Sequence, residues 1–283
     1  MSALAPTVRL RGYERPSGAV GIRNHVLVLP SVVCSTRVAR AIAEGSEARW
    51  ITHQHGCLHV GDDLRHTEDA LMGAALNPNV GAVVVVGLGC ETVEGGRLAR
   101  RLAERQQVVD FVGIQAAGGT EAALSAGRAI ARDRLAELAA TSRTGFGIGR
   151  LCVGLDRADD ALVEPLVREL TRRGAAVRVA SELRGGAAHA QLVRHGAQVI
   201  VSLCAANEAP LGCASSPVVA VARDAETFEG LADDFDLAVL GSPVTRDVEL
   251  LVDRVLDVCL GTPTASERRG AADFVLDRLA VTM

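Results

Sequence analysis

Along the first half of the chain, short apolar runs alternate with stretches in which apolar residues recur at helical spacing. The runs of strand length are residues 26–33 (VLVLPSVV), 48–54, 82–88 (AVVVVGL) and 108–114. The third is nearly continuous valine, the pattern of a parallel strand buried on both faces. Helical patterns lie between and after them, at Thr36–Glu44, Asp62–Leu76, Thr92–Gln106 and Gly119–Ala140. Four strand-helix alternations predict a doubly wound, mostly parallel sheet over residues 1–145. Thr141–Gly149, with Ser, Thr and three glycines, reads as a linker.

A shorter cycle follows. Leu151–Leu155, Ala176–Ala180, Gln198–Leu203 and Val218–Ala222 have strand patterns, and Asp159–Arg173, Ala187–His195, Asp247–Leu260 and Ser266–Leu279 have helical ones. Residues 146–283 therefore form a second, smaller α/β domain, and the fold class is α/β.

Composition narrows the function. The 283 residues are 48% hydrophobic with seven aromatics, so the core is built from Ala, Val and Leu, and aromatic base-stacking platforms are excluded. The net charge is −4, every basic side chain is Arg or His, and no basic stripe occurs, which argues against nucleic acid and anionic membranes as partners. No signal peptide or membrane-length apolar run is present, so the expected location is the cytoplasm. Seven scattered cysteines are an odd number and suggest reduced thiols, some of them metal ligands, in place of a disulfide framework.

Ligands of open parallel sheets bind beyond the carboxyl ends of the strands. Cys34, Cys57 and Cys90 each occupy the turn after one of the first three strands. Three thiolates from three such turns suit iron, three corners of an iron–sulfur cluster, or zinc. In the stretch "ITHQHGCLH" (residues 51–59), His53 and His55 lie two apart, on one face if the strand persists, and are candidate bases. His59 and His66 read as solvated. Glu91, beside Cys90, is a third candidate for the chemistry or a simple helix cap. Gln115, Gly118, Gly119 and Thr120, in "GIQAAGGT" at a helix start, could cradle a substrate anion. "GLGCET" has only the first two glycines of a dinucleotide fingerprint, and the absence of lysine removes a Walker motif.

The segments "GYERPSGAVGIRNHVLVLPSVVCS", "THQHGC", "NPNVGAVVVVGLGCE" and "IQAAGGT" resemble, in order, the central segment of the altronate/galactarate dehydratase family, which includes sulfolactate sulfo-lyase large subunits. The C-terminal half resembles the family's last domain more loosely. The resemblance implies an iron-dependent hydro-lyase acting on a small hydroxylated carboxylic acid such as a sugar acid. The iron is Fe2+ or a cluster held by Cys34, Cys57 and Cys90, with His53 as the motif histidine and Arg23-Asn24 as a substrate-binding pair. That pair precedes the first strand, at the wrong end of the sheet for the crevice unless it serves an interface. The resemblance also implies a homo-oligomer and a small SAF-like partner subunit in place of an N-terminal domain.

One family motif, Gly-Gly-Ser-Asp after the linker, is replaced by "VGLDRADDALVEPLVREL" with Asp156, Asp159 and Asp160. That departure admits a non-catalytic sensor or regulatory subunit as the alternative. A zinc-dependent hydrolase is a third reading.

Overall fold

The structure is a computed structural model that describes residues 9–276, apart from Ala158, Asp159, Ser181 and Ser242. Two parallel sheets form its frame. The first contains β3 (His25–Pro30), β4 (Arg49–Trp50), β5 (Val80–Gly87) and β6 (Val109–Gly113) in the order β4-β3-β5-β6. Alternation along the strands sorts side chains between its two faces. Val26, Val28, Ala82 and Val84 pack on α1 (Thr36–Ala43) and α4 (Thr120–Ala139), while Leu27, Leu29, Val83 and Val85 face α2 (Gly61–Ala75) and α3 (Gly95–Glu104).

β7 (Thr144–Gly147) leads into the second sheet, made of β8 (Cys152–Leu155), β9 (Ala176–Val179), β10 (Val199–Cys204), β11 (Val218–Ala222) and β12 (Leu237–Ala238). Its order is β12-β11-β10-β8-β9, again all parallel. Helices α5 (Val163–Arg172) and α8 (Val244–Leu260) pack on its outer face, and α6 (Gly185–Arg194) lies between the two sheets against α2. The doubly wound expectation is met, with strand and helix positions close to those read from periodicity. Ser266–Leu279 differs: only α9 (Ala265–Arg269) is helical, the chain is irregular to residue 276, and residues 277–279 lie outside the described part, as does Asp159. The short α7 (Ala225–Gly230) completes the elements.

The two halves are joined more closely than a linker implies. Leu71, Val83 and Leu98 of the first half share one buried cluster with Leu192, Ile200 and Val218 of the second. Residues 141–149 are not a loose connector, because β7 pairs antiparallel with β1 (Arg9–Glu14), which also pairs with β2 (Val20–Gly21). This N-terminal arm puts Leu10, Val20 and Ile22 into the core of the second sheet. The first thirteen or so described residues thus pack with the half that follows them by more than a hundred positions. Periodicity could not show this, because two short strands carry too few side chains to register.

Asn79, fully buried, joins arm and sheets. Its Oδ1 accepts from the backbone N–H of Ile22 (2.9 Å) and of Arg23 (3.2 Å), and its Nδ2 donates to the carbonyls of Gln198 (2.8 Å) and Ser215 (3.1 Å). Asn77 donates in parallel to Ala197 O at 2.8 Å. Replacing Asn79 with Ala would strand two N–H and two C=O groups in a buried interface. The expected loss is roughly 3 kcal/mol or more, read as a lower urea midpoint at unchanged slope.

Candidate functional site

In the first sheet the strand order reverses between β3 and β5, and the loops that leave these strands part at that point. The β3 loop (residues 31–35) carries Cys34, the β4 loop (residues 51–60) carries Cys57, and the β5 loop (residues 88–94) carries Cys90. Backbone hydrogen bonds tie the three loops together. Val33 N–H donates to His55 O at 2.9 Å, and the N–H groups of Thr92 and Val93 both donate to Gly56 O, at 3.0 and 3.1 Å. Each bond lies within two residues of a cysteine. Gly56 has φ +96°, and a Cβ there would sit 2.3 Å from Ser31 O, so only glycine lets the second loop approach the first this closely.

All three thiols are exposed. Thiol donors on linked, solvent-reachable loops have the chemistry that iron or zinc takes, but the side chains are not gathered. Among the described residues, no three His, Cys, Asp or Glu side chains stand together as a metal-holding group. The fit is thus one of donor type and loop placement, and assembly of a site would require the exposed side chains to turn inward about their single χ1 torsions.

Glu91 organises the third loop. Its carboxylate accepts from the N–H groups of Leu88 (3.2 Å), Gly89 and Gly95 (3.3 Å) and from the Ser31 hydroxyl at 3.1 Å. Partial burial pushes its pKa up, but the hydrogen bonds from Gly89, Ser31 and Gly95 outweigh this and hold it below the usual carboxylate range. A carboxylate so engaged is a poor proton acceptor. The expectation of a reacting Glu91 gives way to a structural one, in which it fixes the loop of Cys90 against that of Cys34.

The histidines separate by environment. β4 ends at Trp50, so the strand does not persist to His53, although the rings of His53 and His55 still stack at 6.5 Å. His53 is buried and has both ring nitrogens occupied: Nε2 donates to Pro30 O at 2.8 Å, and Nδ1 accepts from the His55 N–H at 3.2 Å. Burial lowers its pKa to about 4, a shift that the Pro30 bond only partly offsets. His53 is therefore a neutral strut of this loop and not an available base. His55 is half-buried, and its ring makes one hydrogen bond among the described residues, from Nε2 to Leu276 O at 3.2 Å. A carbonyl only accepts, so the proton is on Nε2 and the Nδ1 lone pair is left for a substrate. His59, read as solvated, is buried and bonded to Thr67 Oγ1 at 3.2 Å.

A cleft of about 470 Å3 opens beside these groups. Val33, Thr36, Thr52, Gln54 and His55 form one side, and Phe274–Leu276 from the end of the described chain form the other. Thr36 Oγ1 is shielded from solvent and has no hydrogen-bond partner among the described residues. Neither Thr36 nor the C-terminal segment of the cleft was legible in the sequence, since one is a generic helix start and the other lies over 200 residues away.

The substrate-binding candidates divide. Gln115 lies against the Cys90 loop, with its N–H bonded to Leu88 O at 3.0 Å and its side chain against Gly89. Gly118, Gly119 and Thr120 begin α4 with open space above the two glycines but do not line the cleft. Arg23 and Asn24 are elsewhere, at the amino edge of the sheet. Arg23 makes a two-pronged ion pair with Glu267 (2.7 and 2.8 Å) and donates to Val258 O and Thr262 O. Asn24 is used up between Arg15 and Leu138 O. Arg23 is an internal clamp between the halves and Asn24 ties the N-terminal arm to α4, which corrects the pair's assignment to substrate.

Comparison with known proteins picks out the segment that carries these loops. Residues 12–139, which contain all three cysteine loops, match the family described as D-galactarate dehydratase/Altronate hydrolase, second domain. The altronate dehydratase of Escherichia coli (strain K12) is 40% identical over 90 residues, 28% of this chain and 18% of that protein. The altronate dehydratase of Bacillus subtilis (strain 168) is 34% identical over 103 residues, 32% of this chain and 21% of that protein. The (2R)-sulfolactate sulfo-lyase subunit beta of Chromohalobacter salexigens is 44% identical over 78 residues, 27% of this chain and 20% of that protein. The chain thus spans about a fifth of the length of these curated relatives. Over residues 12–139, less than half of the chain, it is similar to the second domain of the D-galactarate dehydratase/altronate hydrolase family.

Proposed function

We propose that the protein is a lyase, a dehydratase for a small hydroxylated carboxylic acid, working alone or as the large subunit of a two-part enzyme. The observation that carries this reading is the stapling of the Cys34, Cys57 and Cys90 loops at the sheet's switch point, within a segment of dehydratase family. In this reading Cys34, Cys57 and Cys90 hold iron, as Fe2+ or a cluster. Bound iron would supply a Lewis-acid contact for the leaving hydroxyl.

The chain's own residues do the rest. His55 Nδ1 takes the proton next to the substrate carboxylate, while the Leu276 carbonyl fixes the ring's tautomer. Thr36 Oγ1 receives a substrate oxygen, which would satisfy its otherwise unmatched hydroxyl. Gln115 supports the Cys90 loop, and the turn at Gly118, Gly119 and Thr120, which does not line the cleft, has no part in holding the substrate in this reading. His53 and Glu91 position the loops. A small SAF-like subunit remains part of the proposal, supported by the subunit-beta designation of one relative. Among the described residues no helix is long and apolar enough to cross a membrane.

Three results test this reading. Cys57→Ser is expected to lower bound iron per chain and lyase activity by about tenfold or more after anaerobic purification; unchanged iron and activity would sink the cysteine assignment and leave a zinc hydrolase or a ligand-binding subunit. His55→Gln should lower kcat by about 100-fold or more at nearly unchanged Tm. For His53 the sign follows from its lowered pKa: the unfolded chain takes up a proton near pH 6.5 that the folded chain refuses until about pH 4. Stability is therefore full above pH 6.5 and falls through that window by up to about 3 kcal/mol. His53→Gln should flatten this fall in urea titrations run from pH 7 to 4.

A further inference from the structure

The second sheet has a switch point of its own, and nothing in the preceding reading uses it. β8 has β9 on one side and β10 on the other, so the loops leaving β8 and β10 part at their carboxyl ends. A cavity of about 290 Å3 occupies this place, lined by Arg157 and Asp160 after β8, by Leu203, Ala205 and Ala206 at the end of β10, and by Arg223 after β11. Arg157 and Asp160 belong to the stretch that stands where the family's Gly-Gly-Ser-Asp motif is missing.

Both guanidiniums are largely shielded, with side-chain exposures of 16% and 22%, and each is anchored twice. Arg157 donates from Nε to Leu203 O (2.8 Å) and from Nη2 to Glu208. Arg223 donates from Nε to Asp160 (2.9 Å) and from Nη1 to Val239 O (2.6 Å). Arg157 Nη1 and Arg223 Nη2 make no hydrogen bond among the described residues. Anchored forks with donors to spare are preorganised for a planar or tetrahedral oxyanion. Beneath them, buried Asp156 accepts from Ser202, from His189 Nε2 (3.3 Å) and from the Leu203 N–H (3.1 Å), so the end of β8 is rigid.

We propose that this crevice is a second ligand site, which takes a small hydroxylated oxyanion between Arg157 and Arg223. The two carboxylates that anchor the arginines define the rest of the ligand. Asp160, which lines the cavity, and Glu208, which pairs with Arg157 outside its lining, balance the two guanidiniums, and Asp160 offers acceptor oxygens, so a bare anion is held less well than one with a hydroxyl group that donates to Asp160. A hydroxy acid and a phosphate ester share this chemistry. The site lies on the second sheet and contains none of the three cysteines, so it stands whether or not the lyase reading does.

The test is calorimetric titration of the full chain with tartrate and, separately, with inorganic phosphate. Saturable binding of either with Kd below about 1 mM is expected, and tartrate binding tighter than phosphate would assign a hydroxy acid while the reverse would assign a phosphorylated ligand. Ala206→Glu leaves both ion pairs intact and places a carboxylate at the exposed lip of the cavity, so it should weaken binding by about tenfold or more at unchanged Tm. Arg157→Gln with Arg223→Gln should do the same, and Cys57→Ser should not. No saturable binding up to about 10 mM, or binding that Cys57→Ser abolishes and Ala206→Glu spares, would overturn the proposal.

Discussion

The arrangement of the whole chain depends on one buried amide. Asn79 is fully buried and uses both lone pairs and both N–H groups of its side chain, and its four main partners come from the N-terminal arm, from the start of β10 and from the approach to β11. A buried polar group with every bond made specifies one geometry, because any sliding of the sheets leaves several backbone groups unpaired at once. The apolar contact between α2 and α6 supplies attraction without direction. The direction comes from Asn79 and Asn77, and from the Arg23–Glu267 ion pair.

That fixed relation between the halves bears on the site. The cleft beside His55 is closed on one side by Phe274–Leu276, which reach it only because the C-terminal segment crosses back over the interface. Asp273 holds the segment in place by accepting from the Gly212 N–H at 2.8 Å, and Gly186 and Gly212 leave it room, since a Cβ at either would collide with Val275 or Ala271. The first sheet thus presents the cysteine loops and the C-terminal segment supplies a wall.

Within the site, polar residues serve placement as often as chemistry. His53, Glu91 and Ser31 spend their hydrogen-bonding capacity on backbone groups of the three loops or on one another. This explains how a sequence dense in histidine and carboxylate leaves so few reactive groups. His53 and His55 are two positions apart and each ring meets a carbonyl through Nε2, yet only His53 also accepts a backbone N–H at Nδ1, so the His55 ring keeps one nitrogen uncommitted.

The sequence by itself determined the two parallel sheets, most element positions and the place of Cys34, Cys57 and Cys90 at three strand ends. Strand and helix periods are local properties, and the carboxyl ends of parallel strands share one edge by construction. Family kinship was also legible, in motifs such as Arg23-Asn24 and the NPN segment, but their task was not. Tertiary structure alone decided that Arg23, Asn24 and Asn79 are clamps, that His53 is a strut, that His59 is buried, and that β1 belongs with the second sheet. Arg23, Asn24, Asn79 and β1 meet partners more than a hundred positions away, and His53 and His59 meet nearer ones only because the loop folds back on itself; residue type and spacing encode neither.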